Sequence, residues 1–243
     1  MPIVLVHGVP EDSHIWDDLR AELPDRDTVA LGMPGFGTPL PAGFAATKEG
    51  YLAWLCDELT RLPAPIDLVG HDWGGILTMR LALTRPDLIR SFVTDAIGFI
   101  HPSFVWHDLA RVWATPGAGE KFMADQAAAP LDLRIATFAG FGVSPHYARH
   151  MAANDPVRSQ CILDLYRSAT QIQVDWGTGV NPPARPGLCL LGAKDPFGAP
   201  AKSSQLATQL GMAVNIIDDV GHFWPSQAPA AGAAALRTYW ATL

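Results

Sequence analysis

Short apolar runs alternate with longer amphipathic stretches over most of this chain. Ile3–Val6, Thr28–Leu31, Ile66–Val69, Ser91–Thr94, Leu188–Leu191 and Val214–Ile217 have the length and bounding residues of strands. Between them, Tyr51, Trp54, Leu55, Leu59 and Leu62 recur at helical spacing and predict a helix over Thr47–Leu62. Thr47 with Gly50 three positions on gives only part of a capping signal, so that start is soft. A second helix is expected over Ile76–Thr84. A last one is expected over Pro229–Leu243, where proline in the first turn lacks only an N–H that would have no partner. Strands alternating with helices imply an α/β fold, a mostly parallel sheet with flanking helices.

Between residues 99 and 183 the alternation stops. This stretch reads as several helices without a strand, among them Val105–Trp113, Leu131–Phe138 and Pro156–Gln173. Pro182-Pro183 and Arg185-Pro186-Gly187 mark the return to the sheet. The chain is therefore read as a core of residues 1–98 and 184–243 with an inserted helical lid, or cap, over 99–183. Open α/β sheets place ligands beyond the carboxyl ends of their strands, where such an insertion would lie.

Composition narrows the function classes. With 243 residues, 49% hydrophobic and 17% charged, the chain suits one large domain with a substantial core. A net charge of −7 and no basic run argue against nucleic acid as a partner. Cys56, Cys161 and Cys189 are too scattered for a disulfide framework or a metal site, so free thiols in a reducing compartment are expected. No basic leader precedes Ile3, which predicts no signal peptide and a cytoplasmic location. The longest stretch without Asp, Glu, Lys or Arg, Val220–Leu236, contains His222, Pro225, Ser226, Gln227 and Pro229, so no membrane span is expected. Monomer and homodimer both stay open.

The chemistry gathers around Asp72. In Gly70-His71-Asp72-Trp73-Gly74-Gly75, small residues flank an acid between a strand and a helix, the pattern of a nucleophile elbow. A serine that attacks a saturated carbon ends as an ether, which water does not readily cleave. A carboxylate ends as an ester, whose carbonyl water can attack, so Asp72 points to displacement at an alkyl carbon followed by ester hydrolysis. His7-Gly8-Val9-Pro10-Glu11 follows the first strand, and the N–H groups of Val9 and Trp73 are candidates for an oxyanion hole. Gly221-His222 presents a histidine after the last strand, and Leu191-Gly192-Ala193-Lys194-Asp195 places an acid after the strand before it. The order Asp72, Asp195, His222 is that of nucleophile, acid and histidine. His222 is expected to activate water, oriented by Asp195, with Asp95 at the end of Ser91–Thr94 as the alternative acid. His7 is expected to be structural.

These segments, with Pro34-Gly35-Phe36-Gly37, resemble the α/β-hydrolase group that contains epoxide hydrolases and haloalkane dehalogenases. The resemblance covers nearly all of the chain outside the lid. It implies an α/β-hydrolase fold trimmed of its leading antiparallel strands, as in the hydroxynitrile-lyase-like branch, which uses serine at the elbow. It also implies catalysis without a metal or organic cofactor.

Within the lid, Leu165-Tyr166-Arg167-Ser168 resembles the segment that supplies epoxide hydrolases with one of two lid tyrosines, which would make Tyr166 the proton donor to an opening epoxide. The helix before Pro116-Gly117, where the resemblance would put the second tyrosine, holds Trp106, His107, Leu109, Ala110 and Trp113 instead. His107 and Tyr147 are the candidates to stand in. A dehalogenase would use indole N–H donors for halide, and Trp73 with Trp106 or Trp113 could supply them. Yet His-Gly-x-Pro-Glu is the epoxide hydrolase form, because many dehalogenases carry asparagine at Val9. Trp73 also occupies the place of the arginine with which fluoroacetate-type dehalogenases hold a carboxylate. Trp106 and Trp113, two turns apart on a predicted helix, would share a face and with Phe104 and Phe141 line a pocket for an uncharged apolar substrate. Epoxide hydrolase is the first reading and haloalkane dehalogenase the second. A hydrolase-fold protein that binds a small molecule without turning it over is the third.

Overall fold

A computed structural model describes residues 2–243. Its single sheet has six parallel strands in the order β2-β1-β3-β4-β5-β6. They are β1 Ile3–Val6, β2 Thr28–Leu31, β3 Asp67–Gly70, β4 Ser91–Thr94, β5 Gly187–Gly192 and β6 Ala213–Ile217. All six expected strands form. The inner four are buried throughout, while β2 and β6 are partly exposed at the two edges.

Alternate side chains of β1 leave the sheet on opposite faces and build two cores. Val4 and Val6 face α2 (Lys48–Arg61) and α3 (Trp73–Thr84), joining Tyr51, Leu55, Leu59 and Leu77. Ile3 and Leu5 face α1 (Asp17–Ala21) and α12 (Pro229–Trp240), joining Trp16, Leu19, Leu236 and Trp240. The start of α2 is firmer than the sequence suggests, because Thr47 Oγ1 accepts the Gly50 backbone N–H at 3.1 Å.

Six helices lie between β4 and β5: α4 Asp108–Ala114, α5 Ala118–Ala128, α6 Leu131–Gly140, α7 Pro145–Met151, α8 Pro156–Ser168 and α9 Ile172–Asp175. Two boundaries differ from expectation. His107 caps α4 by accepting the Ala110 N–H on Nδ1, so Trp106 lies before the helix and shares no helical face with Trp113. The helix expected over Pro156–Gln173 breaks after Ser168, where the buried Lys48 ammonium takes the Ser168 carbonyl at 2.7 Å. A helix whose last carbonyl is satisfied from outside has no need to continue. Two further helices complete the chain, α10 Pro200–Gln209 and α11 Trp224–Gln227.

Candidate active site

Asp72 sits at φ 49° and ψ −118°, directly after β3 and before α3. A non-glycine residue rarely holds this conformation, and the surrounding packing keeps it there. A Cβ on Gly8 would strike the Asp72 side chain, and one on Gly74 would strike the Val6 and His7 carbonyls. Glycine at both positions is what lets the turn be this tight. The elbow is held from beneath as well, since Asp95 Oδ1 accepts the Asp72 backbone N–H at 2.8 Å.

Around the Asp72 carboxylate, the Val9 N–H donates to Oδ2 at 3.0 Å. The carboxylate accepts no capping bond from α3, so Val9 is its backbone donor here and Trp73 N–H is not. On the other side, His222 Nε2 stands 3.5 Å from Oδ1. His222 Nδ1 pairs with Asp195 Oδ2 at 2.9 Å, and Asp195 Oδ1 accepts the backbone N–H groups of Phe197 and Gly198. Asp195, not Asp95, is therefore the acid on His222.

Burial alone would raise the Asp72 pKa, yet the bond to His222, the charges of His222 and His71 and the Val9 N–H together hold it below the usual carboxylate range. For His222 burial works against the proton, but Asp195 and Asp72 outweigh it and raise its pKa. Asp195 is lowered against its burial, chiefly by His222 and the two backbone donors. His222 thus stands between two carboxylates, both of which favour its protonated form.

Asp95 serves a different histidine. Its Oδ2 bonds His71 Nδ1 and accepts the Trp224 indole N–H at 2.7 Å. His71 is fully buried and its Nε2 lies 3.4 Å from Glu11 Oε1. Burial opposes the charge on His71, but Glu11 and Asp95 raise its pKa well above the ordinary value. Its ring lies 4.7 Å from that of His222. His71 and Glu11 lie within the segments around the elbow and the first strand, and no local pattern marks them as a pair. Their one signal was position beside the nucleophile and beside an oxyanion donor. By contrast His7 accepts the Met33 N–H on Nε2 and bonds the Gly8 carbonyl through Nδ1, a structural arrangement.

A cavity of about 390 Å³ opens above Asp72 and His222, with Tyr166, His107, Trp113 and Phe141 in its walls. Tyr166 is wedged against Trp73, Trp106 and Trp113, with ring centroids 5.5, 5.2 and 5.0 Å away. Burial and the Asp72 charge push its phenol pKa well up, so it remains an O–H donor. His107, with Nδ1 spent on its helix cap, is lowered chiefly by burial and stays neutral.

Other expected lining residues fall elsewhere. The Trp106 indole N–H donates to the Ala169 carbonyl at 2.8 Å, so it is not free for halide. Trp106 and Phe104 border a second, more polar cavity of about 270 Å³ that also reaches Asp72 and His222. Tyr147 reaches neither cavity. Its hydroxyl accepts the Asp12 N–H at 3.1 Å within the core beside α12. The indole N–H groups of Trp73 and Trp113 are buried without a partner among the described residues.

No helix of the structure is long and apolar enough to cross a membrane. The three cysteines are free, with Cys161 and Cys189 buried.

A sequence model described as Alpha/beta hydrolase family matches residues 3–235. Among curated proteins, a pimeloyl-[acyl-carrier protein] methyl ester esterase of Aeromonas hydrophila is 33% identical over 124 residues, 50% of this chain and 44% of that protein. The matches span less than half the length of the first curated relatives. A variant of an epoxide hydrolase from Bacillus megaterium superposes with a TM-score of 0.81 at 16% identity, covering 99% of this chain and 93% of that one. A haloalkane dehalogenase variant from Bradyrhizobium elkanii gives 0.71 at 20% identity, covering 99% and 90%. At these identities the two likenesses speak for the fold alone.

Proposed function

This chain belongs to the Alpha/beta hydrolase family, and on that basis we propose that it is an epoxide hydrolase acting through an alkyl ester on Asp72. The observation that carries this reading is the pairing across the cavity: the Asp72 carboxylate and the Tyr166 phenol border the same 390 Å³ space.

Asp72 Oδ1 attacks an epoxide carbon, and the C–O bond of the ring breaks. The electron pair goes to the epoxide oxygen, which takes the Tyr166 proton. His107, at the same cavity, supports that oxygen through its free Nε2. Esterification removes the Asp72 charge, so the His222 imidazolium loses a partner that held its proton. That proton restores Tyr166, and neutral His222, oriented by Asp195, becomes the base for water. Water adds to the Asp72 carboxyl carbon while His222 takes its proton. Oδ2 carries the resulting negative charge against the Val9 N–H. Collapse breaks the bond to the alkyl oxygen, which takes the remaining proton of the added water, and so frees the diol and regenerates carboxylate and imidazolium.

Trp113 borders the cavity with its indole N–H buried and unpartnered, which favours a second reading, haloalkane dehalogenase, because such a donor suits a departing halide. Replacing His222 with glutamine stops ester hydrolysis and separates the readings by mass spectrometry of the trapped Asp72 adduct. Adducts from an epoxide panel are expected. Adducts only from haloalkanes, with halide release, would establish the second reading. No adduct from either panel would leave a binding role.

A further inference from the structure

The wall of the main cavity includes an arginine that the catalytic reading does not use, Arg134. Arg134, Thr137, Phe138 and Phe141 all border the cavity, at positions i, i+3, i+4 and i+7 of α6 and its C-cap, so one helix face forms a continuous wall. Phe141 lies at the catalytic end, its ring centroid 6.2 Å from Phe197 and 6.1 Å from Phe223. Phe197 in turn lies 5.0 Å from His222. Arg134 is seven residues away along the axis, roughly 10 Å at the helical rise.

Arg134 is half-buried, and among the described residues its guanidinium forms no ion pair and donates to no side chain or carbonyl. Its Nε is shielded from solvent with no hydrogen-bond acceptor. The other arginine on the cavity wall is already matched, since Arg158 faces Asp12 at 3.4 Å and Asp155 at 3.9 Å. Asp155, the acid on the same wall, is committed to that arginine and to the Val157 and Arg158 backbone N–H groups. Gln126 and Asn154 add uncharged polar groups to the lining.

We propose that Arg134 anchors the carboxylate of an elongated substrate whose apolar body fills the cavity and whose electrophilic carbon reaches Asp72. A planar guanidinium matches a carboxylate through two parallel N–H donors. The expected substrate is therefore apolar at its reacting end and anionic at the other. This assignment rests on the alkyl-ester reading above for its reacting end, and on Arg134 alone for its charged end.

The test compares the terminal epoxide of undecylenic acid with the neutral terminal epoxide of equal chain length. In the wild type the acid should be preferred in kcat/KM by about 10- to 100-fold, the size of one charge-assisted interaction. That ratio should fall to near unity in Arg134→Gln and be partly kept in Arg134→Lys, with melting temperatures checked for both. An unchanged ratio in Arg134→Gln overturns the anchor. Calorimetric binding of decanoate against decanol decides the same question without turnover. Should no epoxide react, a preference for decanoate that vanishes in Arg134→Gln still establishes the anchor while the catalytic reading fails. Equal binding of the two ligands by the wild type overturns it.

Discussion

His222 Nε2 lies 3.5 Å from Asp72 Oδ1, so the histidine and the carboxylate of the strand-to-helix turn stand within ion-pair distance. Removing the anion disfavours the protonated imidazole, so the His222 pKa should fall by about 1–3 pH units in Asp72→Asn. NMR titration of labelled histidine in the two proteins measures this. An unchanged His222 pKa would sink the proton cycle proposed above.

Asp195 and Asp95 should separate cleanly. Asp195 holds His222, so Asp195→Asn is expected to slow decay of the Asp72 ester by at least about 10²-fold while its formation is less affected. Rapid-quench kinetics with an epoxide resolves the two steps. Asp95 accepts from Asp72 N, His71 and Trp224 at once. Asp95→Ala leaves three buried donors unpaired and should destabilise the fold by about 3–5 kcal/mol, read in urea unfolding. Intact stability there would contradict the structural role.

Tyr166 and His107 border the same cavity as Asp72. Tyr166→Phe keeps the ring packing against Trp73, Trp106 and Trp113 and should lower the rate of ester formation by about 10²-fold. His107→Phe should lower it less, and if the two act on one oxygen the double variant should lose clearly less than the sum of the two effects. Strict additivity of the two effects would separate their roles.

His71 predicts a pH signature in stability. Glu11 and Asp95 raise its folded pKa above the ordinary 6.5 in spite of burial. A raised pKa contributes stability that is fully present below about 6.5 and is lost as pH rises through the folded value. The stability difference between wild type and His71→Gln should therefore be largest near pH 6 and shrink toward alkaline pH. Denaturant melts across that range check it, and a difference that grows with pH would reverse the assigned charge.

Much of this was legible before any coordinates. Strand-sized apolar runs are local, and burial on a sheet demands them, so β1 to β6 lie within a residue or two of their predicted bounds. Gly70 and Gly74 announced the elbow because only a missing Cβ lets the chain turn there. The lid was harder. Its helix ends depend on partners distant in the chain: Lys48 takes the last carbonyl of α8, and Trp106 is drawn out of α4 toward Ala169. Tyr147 sat at a plausible place in the sequence, but the close approach of α7 to Asp12 turned its hydroxyl into the core.

The sequence by itself determined the sheet, the tight strand-to-helix turn at Asp72 and the order of Asp72, Asp195 and His222 after their strands, because these follow from local periodicity, glycine sterics and motif spacing. Only the tertiary structure decided that Asp195 and not Asp95 serves His222, that His71 shares a buried charge cluster with Glu11, and that Tyr166 and His107 face Asp72 while Tyr147 does not. Each of these turns on a few ångströms between residues far apart in the chain, a distance that no local pattern encodes.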